Sequence, residues 1–151
     1  MFRGANKVTL DSKGRLAMPA RYRERIVERS AGRLIATVDR SDQCLLIYPL
    51  PEWEEIERKL MKLPTLNVVA RRMQRLMVGH ATDIELDSHG RVLIPPKLRE
   101  YAKVTRDAIL IGQGNRFELW DEAHWEESRE KWLSSEDTAE ELPPELQSLS
   151  L

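Results

Sequence analysis

One phrase occurs twice in this chain of 151 residues, and it constrains the fold more than any other feature. Residues 10–24 read LDSKGRLAMPARYRE and residues 86–100 read LDSHGRVLIPPKLRE, with identical residues at eight of fifteen gapless positions. A separation of about 75 residues is too long for a solenoid unit, so it predicts two copies of one small domain. Units of that size bury only about 60% of their unfolded surface, so we expect the copies to share a core or to meet other subunits.

Each copy is predicted to form a hairpin followed by a helix. Alternating residues precede an Asp-Ser-x-Gly turn, and a return strand that ends at Pro19 or Pro95 follows it. The paired predictions, first copy then second, are strands at 8–10 and 83–86, return strands at 15–18 and 91–94, and helices at about 20–28 and 96–102.

The similarity between the copies continues at a changed spacing. Strands predicted at 45–48 and 117–120 lead into helices that carry Trp53 and Trp125 near their starts. Helical spacing of the neighbouring apolar residues favours core positions for both tryptophans. The tryptophans lie 72 positions apart and the first motifs 76, so the second copy is expected to lack about four residues in its middle loop.

The remaining segments are a linker and a tail. Apolar residues at helical spacing predict a linking helix with solvated arginines on its other face. The alternatives are a subunit contact along its apolar stripe and, less favoured, a direct contact of the helix with nucleic acid. Residues 1–40 have a net charge of +6 and residues 118–151 of −9, which indicates either a basic working surface or merely a solvated face with a polar tail. The predicted segments are a first half-domain 1–62, a linking helix 63–80, a second half-domain 81–133, and an acidic, mostly disordered tail 134–151.

Several function classes are disfavoured by composition. The single Cys44 excludes an internal disulfide framework, and neither a signal peptide nor a run of about 18 apolar residues is found, so a cytoplasmic protein without a membrane partner is expected. His80, His124 and Cys44 share no ligand spacing with the one other histidine, so we expect no metal and no cofactor. Cys44 itself is expected to pack as a small apolar group in a strand.

The repeated turn can position an arginine. Glycine permits the tight turn, arginine follows where the strand begins, and the aspartate can either cap the loop amides or pair with the guanidinium of the other copy. An arginine held in this way suits bidentate bonding to phosphate or to O6 and N7 of guanine. The candidate hairpin-orienting residues are Asp11, Asp87, Gly14 and Gly90, and the candidate DNA-binding residues are Arg15, Arg91, Lys13, Arg3, Lys7, Arg21, Arg23, His89 and Lys97, with Arg99 nearby.

Five stretches together resemble the MraZ family of bacterial transcriptional regulators, from Met1 to about Trp132. They are MFRG, LDSKGRLAMPARYRE, CLLIYPLPEWEE, LDSHGRVLIPPKLRE and GNRFELWDEAHW. The resemblance implies an α+β fold of two AbrB-like swapped-hairpin β-barrel halves, packed as a pseudo-dimer within one chain. It also implies closed rings of subunits in the cytoplasm and nucleoid. These rings would bind short G-rich direct repeats of double-stranded DNA upstream of the division and cell-wall gene cluster.

The family signature D-x-x-x-R implies DNA contact at Asp11 with Arg15 and at Asp87 with Arg91. We expect Arg15 to dominate, because the first copy has the more basic surroundings. No catalytic residue is predicted.

Three rival hypotheses remain. A pair of Asp-Ser loops about a pseudo-twofold axis resembles an aspartic-protease dyad, although a cation four residues beyond each aspartate would hold it ionised. Related swapped-hairpin modules also serve as antitoxins that bind a toxin and their own operator. A scaffold ring with an incidental basic surface is the third hypothesis, and it predicts no salt-dependent binding of duplex DNA.

Overall fold

Both copies of the repeated phrase fold into a strand, a turn, a return strand and a helix, as predicted. The computed structural model describes residues 1–135 and 143–149. The first half contains β1 (Phe2–Thr9), β2 (Arg15–Ala17), α1 (Ala20–Ser30), β3 (Arg33–Val38), β4 (Leu45–Pro49) and α2 (Leu50–Met61). The linker contains α3 (Val68–Met73) and a π-helical turn (Gln74–Val78). The second half contains β5 (Thr82–Glu85), β6 (Arg91–Leu93), α4 (Pro96–Ala102), β7 (Asp107–Gly114), β8 (Arg116–Asp121) and α5 (Glu122–Ser134), and α6 (Pro144–Gln147) follows.

The two halves exchange their first strands, and the result is a mixed α+β fold. The main sheet is antiparallel and has the order β1-β7-β8-β4-β3-β5. Strand β1 of the first half therefore pairs with β7 of the second, and β5 of the second half pairs with β3 of the first. Because each half contributes equivalent strands at mirrored places in this order, the sheet has a pseudo-twofold axis between β4 and β8.

The return strands leave the main sheet and pair with each other. Strands β2 and β6 form a separate antiparallel ribbon in which Leu16 lies opposite Val92. These two residues are fully buried and lie in a core that combines residues of both halves. The prediction of a shared core is thus confirmed, and its apolar packing holds the ribbon against the sheet.

The sheet is not a closed barrel. Its order ends at β1 and β5, and the pairings of the described residues do not join these two strands. The expected barrel geometry is therefore corrected to an open six-stranded sheet with a ribbon beside it. The reason is that each edge strand turns at its Asp-Ser-x-Gly loop into β2 or β6, which pair with each other rather than extend the sheet.

The four-residue difference between the halves lies in a helix, and its predicted place in the middle loop was wrong. Helix α1 has 11 residues and α4 has 7, and both end at equivalent left-handed residues, Ala31 and Lys103. Four residues are close to one helical turn of 3.6 residues. A loss of this size keeps the later residues on nearly the same helix face, so the following strand can continue in register.

The two tryptophan helices pack differently. Trp53 on α2 is almost fully buried against Tyr48, which confirms its predicted core position. Trp125 on α5 is only half-buried and contacts Trp120 and the exposed Trp132 at centroid distances of 5.5 and 5.8 Å. The prediction of a core anchor on α5 is therefore corrected, because α5 has no buried residue.

The linker and the tail differ in how far the structure describes them. The linking segment contains the predicted helix, but its last turn changes to π-helical geometry at Gln74–Val78. Of the tail predicted to be disordered, residues 136–142 and 150–151 lie outside the described residues, whereas Pro144–Gln147 form one helical turn. In the described ranges, no helix combines the length and the apolar character needed to cross a membrane.

Candidate functional site

The outer face of the β2–β6 ribbon presents two arginines. Arg15 lies opposite Leu93, and Ala17 lies opposite Arg91, so the two guanidinium groups start from diagonal positions on one face. Diagonal neighbours in an antiparallel pair are about 7–8 Å apart. The arginine side chains are about a third exposed, at 32% and 34%, while Leu16 and Val92 point into the core on the other face.

Each aspartate fixes its own loop and its own arginine. Asp11 Oδ1 accepts hydrogen bonds from the backbone amides of Lys13 and Arg15 at 2.9 Å each. Its other oxygen, Oδ2, accepts a hydrogen bond from Arg15 Nε at 3.0 Å. Of the two roles left open for the aspartate, loop capping is therefore observed, and its guanidinium partner comes from the same copy rather than the other.

The second loop repeats this arrangement. Asp87 Oδ1 accepts from the amides of His89 and Arg91 at 2.8 and 2.9 Å, and Asp87 Oδ2 accepts from Arg91 Nε at 3.1 Å. Because only Nε is used in this bond, the terminal nitrogens of each guanidinium can still form a bidentate pair with an acceptor. The two loops thus present two equivalent, directed arginines.

The loop hydrogen bonds lower the pKa of both aspartates. For Asp11 the backbone amide of Arg15 has the largest effect, and the Lys13 amide and the Arg15 guanidinium act in the same direction. For Asp87 the Arg91 amide has the largest effect. All of these groups stabilise the ionised carboxylate, so both loops keep a negative charge beside each arginine at neutral pH.

Glycine is required in both loops. Gly14 and Gly90 have φ values of +86° and +73°, which residues with a Cβ rarely adopt. A Cβ on Gly14 would also lie 2.5 Å from the guanidinium of Arg99, and one on Gly90 would lie 2.6 Å from Arg23 Nε. Each loop is therefore packed against an arginine that the other half contributes.

Arg23 and Arg99 lie where the two halves of the chain meet. Arg23 Nε donates to Met18 O and Arg99 Nε donates to Ile94 O, at the ends of their own return strands. At the same ends the Met18 amide donates to Gly90 O of the other half, and the Ile94 amide donates to Gly14 O in return. Arg23, a candidate DNA-binding residue, is thus placed half-buried against a loop, where it supports the loop geometry.

The remaining basic candidates occupy three places. Lys13 and His89 are exposed at equivalent loop positions, and Lys97 is exposed on the first turn of α4. Lys13 and His89 each lie two residues before a ribbon arginine, so the fold brings both beside the ribbon face. Lys97 has the same position in α4 that Arg21 has in α1.

Arg3, Arg21 and Lys7 lie on a different surface. Arg21 donates to Asn6 Oδ1 and lines a pocket together with Arg3 and Arg25. Arg3 is at the far end of β1, about 20 Å from Thr9 at the usual rise of a strand. Lys7 forms an ion pair of 3.4 Å with Glu122 on α5. The fold does not bring these three residues to the ribbon.

One group of possible metal ligands occurs in the described part of the chain. The side-chain ligand atoms of Asp39, Cys44 and Glu118 lie within 4.8 Å of one another. Cys44 is buried, and its Sγ donates to Asp39 Oδ2 at 3.5 Å. Burial is the main factor that raises the pKa of this thiol, and the adjacent Glu118 raises it further. Cys44 is therefore a protonated, buried group, which confirms its predicted packing. Its predicted place in a strand was wrong, because Cys44 lies just before β4 and its thiol is beside carboxylates rather than only apolar groups.

Two ribbon residues were not identified from the sequence. Leu93 is 50% exposed and Ala17 is exposed, and both share the outer face with the two arginines. Strand alternation could have identified them, since Leu93 lies two residues after Arg91 and must point to the same side. An apolar residue on the charged face of a ribbon was the available signal.

The two aspartates do not form a catalytic dyad. Their loops lie at opposite ends of the antiparallel ribbon, because Arg15 pairs with the last residue of β6 and Arg91 with the last residue of β2. Each carboxylate is also held ionised by its own loop. A dyad requires two carboxyl groups that share one proton, so this geometry does not support the acid-hydrolase hypothesis.

Comparison with known proteins gives one family. Residues 1–76 and 77–143 each match the family model described as "MraZ protein, putative antitoxin-like". Among similar proteins, the "Transcriptional regulator MraZ" of Halorhodospira halophila is 55% identical over the full length of both chains. Proteins of the same name from Thioalkalivibrio sulfidiphilus and Pseudomonas aeruginosa are each 56% identical, also over the full length of both chains.

Proposed function

The chain belongs to the MraZ family, and on this premise we propose that it is a transcriptional regulator whose β2–β6 ribbon reads double-stranded DNA. Arg15 and Arg91 contact guanines or phosphates, and the aspartates hold each guanidinium in direction. The proposal rests on one observation. Two arginines, each hydrogen-bonded to its own loop aspartate, lie on one exposed face of a two-stranded ribbon. The names of the full-length relatives support the regulatory role.

The shape of the ribbon suits the major groove. That groove is about 12 Å wide and admits a two-stranded ribbon, whose strands are about 4.8 Å apart. The guanine edge there offers O6 and N7, which accept a bidentate pair from arginine. An arginine fixed through Nε loses less freedom on binding than a mobile one, so the loop aspartates contribute affinity without touching DNA.

Positive charges around the ribbon would contact the phosphates. Lys13 and His89 lie in the loops that lead into the ribbon strands, and we propose backbone contacts for them. We propose a more peripheral backbone contact for Lys97, which is exposed on the first turn of α4. Such contacts give most of the affinity and its salt dependence, whereas base contacts give specificity. Arg23 would act indirectly through the opposite loop, and Arg3, Arg21 and Lys7 are proposed only as distant electrostatic contributors.

We further propose that several chains form a closed ring that engages tandem G-rich repeats. Large apolar side chains are exposed on the α3 side and at the end of α5, which is typical of subunit contacts. They are Leu66, Val68 and Val69, and Trp132 and Leu133. Linked ribbons would make weak single contacts effectively intramolecular, so repeated sites would be bound far more tightly than one.

We base three finer proposals on the family resemblance: the relationship of the fold, the DNA site and the location in the cell. The exchange of β1 and β5 between halves supports an AbrB-like swapped-hairpin relationship, with an intrachain pseudo-dimer in place of two subunits. The proposed site of action is the promoter of the division and cell-wall gene cluster, in the cytoplasm and nucleoid. Contacts made by side chains alone, without a cofactor, are sufficient for this role.

A duplex titration tests the proposal. Duplexes with one to four G-rich repeats are titrated at two salt concentrations, with the assembly state measured in the same samples. We expect affinity to rise steeply with repeat number and to fall with salt, and we expect Arg15→Ala to weaken it. Arg58→Ala on α2 is the matched control, because it removes an exposed arginine outside the ribbon. Equal affinity for one repeat and four, or salt-independent binding, would contradict the proposal.

The antitoxin hypothesis keeps a specific observation in its favour, namely the wording of the family description. It predicts a stoichiometric small protein partner that purifies with the chain from native cells. Recovery of such a partner at equal stoichiometry would favour a toxin-binding role, whereas recovery of the chain with DNA alone would favour the regulator.

A further inference from the structure

The ribbon has a pseudo-twofold axis, but one pair of symmetry-related positions on its outer face holds two different residues. The axis passes the central Leu16–Val92 pair, so it relates Arg15 to Arg91 and Ala17 to Leu93. The arginines are chemically identical and have matching loop geometry. The other two positions are not equivalent, since one has a methyl group and the other an isobutyl group.

This difference matters for reading DNA. A twofold-symmetric reader binds a twofold-symmetric site and cannot distinguish the two orientations of an asymmetric one. Direct repeats all point the same way, so a protein that binds them benefits from a directional contact. On the outer face of the ribbon strands, Ala17 and Leu93 are the positions that can provide such a contact.

The surroundings of Leu93 define what it can bind. Its side chain is 50% exposed, it lies directly opposite Arg15, and it shares its face with two guanidinium groups. The apolar feature in the major groove is the 5-methyl group of thymine, which apolar side chains contact. Ala17, directly opposite Arg91, has a shorter side chain and reaches less far into the groove.

We infer that Leu93 contacts a thymine methyl group beside the guanine bound by Arg15, and that the Leu93–Ala17 difference gives each subunit a fixed direction on its DNA site. The inference rests on the proposed DNA-reading role of the ribbon and adds a specificity-determining residue to it. Leu93 would contribute little to total affinity, because a single methyl contact is small beside the phosphate contacts. Its effect would appear in which sequence, and which orientation, is preferred.

Methyl deletion in the DNA tests this inference. Sites are first selected from random duplexes with the full chain, and each thymine of the selected site is then replaced singly by deoxyuridine, which lacks only the methyl group. The parent protein should lose about fourfold in affinity at one thymine next to a guanine, as expected for one buried methyl group. Leu93→Ala should bind the thymine and deoxyuridine duplexes equally.

An exchange variant provides the matched control. The double change Ala17→Leu and Leu93→Ala keeps the side-chain composition of the face but reverses its asymmetry. It should move the methyl sensitivity to the guanine contacted by Arg91. It should also reverse the orientation of the bound subunit, which a DNA-cleaving chelate attached at position 88 reports.

Three results would overturn the inference while leaving the proposed function intact. They are a parent protein insensitive to every replacement, an unchanged pattern in Leu93→Ala, and an exchange variant that keeps the original orientation. If the second of these results comes with a change in the sedimentation of Leu93→Ala, Leu93 is assigned to a subunit contact instead. Binding of duplexes that does not depend on Arg15 or on salt would instead contradict the proposed function itself.

Discussion

The two halves of the chain are most alike where the loop geometry holds an arginine and least alike in the elements around it. Equivalent hydrogen bonds accepted by Asp11 and Asp87 differ in length by no more than 0.1 Å. By contrast, α4 is one turn shorter than α1. The first tryptophan of the corresponding helices, Trp53, is buried in one half, and Trp125 is half-buried in the other. The loops therefore tolerate little change, whereas the helices around them differ in length and in the burial of their tryptophans.

The difference between the halves is also electrostatic. The first loop has Lys13 where the second has His89. The half that begins the chain is therefore the more basic, although the caps are the same. Because the two aspartate caps are the same but the charge around the two loops differs, we expect the two arginines to bind DNA in the same way but with unequal energies.

The largest predicted effect is the loss of a ribbon arginine. Arg15→Ala should lower discrimination between selected and scrambled duplexes by about 1–3 kcal/mol if the side chain contacts a base. Arg91→Ala should have the same kind of effect but a smaller one, because its loop is less basic. Competition titrations measure both, with Arg58→Ala as the control. If Arg91→Ala proves the more damaging, the predicted ranking of the halves is wrong.

Next in size is the effect of an alanine in a loop glycine position. Gly14→Ala and Gly90→Ala should each lower the free energy of unfolding by about 1–3 kcal/mol, since each forces a left-handed residue and a clash with an arginine of the other half. Denaturant unfolding measures the change, and Ser12→Ala in the same loop serves as the control. Stabilities equal to the parent would show that the loops are not packed as described.

A smaller effect is expected from acid. The folded pKa of Asp11 and of Asp87 lies below the ordinary value of an aspartate, so the stability from capping is complete above that ordinary value. It is lost as the pH falls through the lowered folded pKa. Carboxyl carbon chemical shifts, followed by NMR as the pH is lowered, should give pKa values for both aspartates below the ordinary range. The double variant Asp11→Asn and Asp87→Asn should lose this part of the acid dependence of stability. Ordinary values for either residue would contradict the capped geometry.

The smallest predicted effect separates Lys13 from His89. Lys13→Ala should reduce the slope of log affinity against log salt by about 0.9, which corresponds to one lost phosphate contact. His89→Ala should change it less, because the lysine ammonium is the longer-reaching and more strongly charged phosphate ligand. Salt titrations of the two variants measure the difference. Equal slopes would remove the electrostatic distinction between the halves.

The repeat made much of this site predictable from the sequence. Local turn chemistry identified the loops, the glycines and the arginines, because Asp-Ser-x-Gly-Arg determines its own hydrogen bonds within five residues. Pairings between distant residues were not accessible in the same way. The contact of Arg99 with Gly14, for example, depends on which half each loop packs against.

The unpredicted elements have a common physical origin. Strand β3 is buried on both faces after its first residue and shows no alternation, so it has no period-two pattern to detect. Strand β7 is buried in the same way near its start. The missing helical turn of α4 was assigned to a loop because spacing alone shows how many residues are lost but not from which element.

Chemical protection of DNA tests the central claim most directly. Dimethyl sulfate methylates guanine N7 in the major groove and adenine N3 in the minor groove. With the parent protein bound, guanine N7 atoms of the selected site should be protected, and Arg15→Ala and Arg91→Ala should each restore reactivity at different guanines. Protection confined to adenine N3, or guanine N7 reactivity that neither variant changes, would contradict a ribbon that reads the major groove through these two arginines.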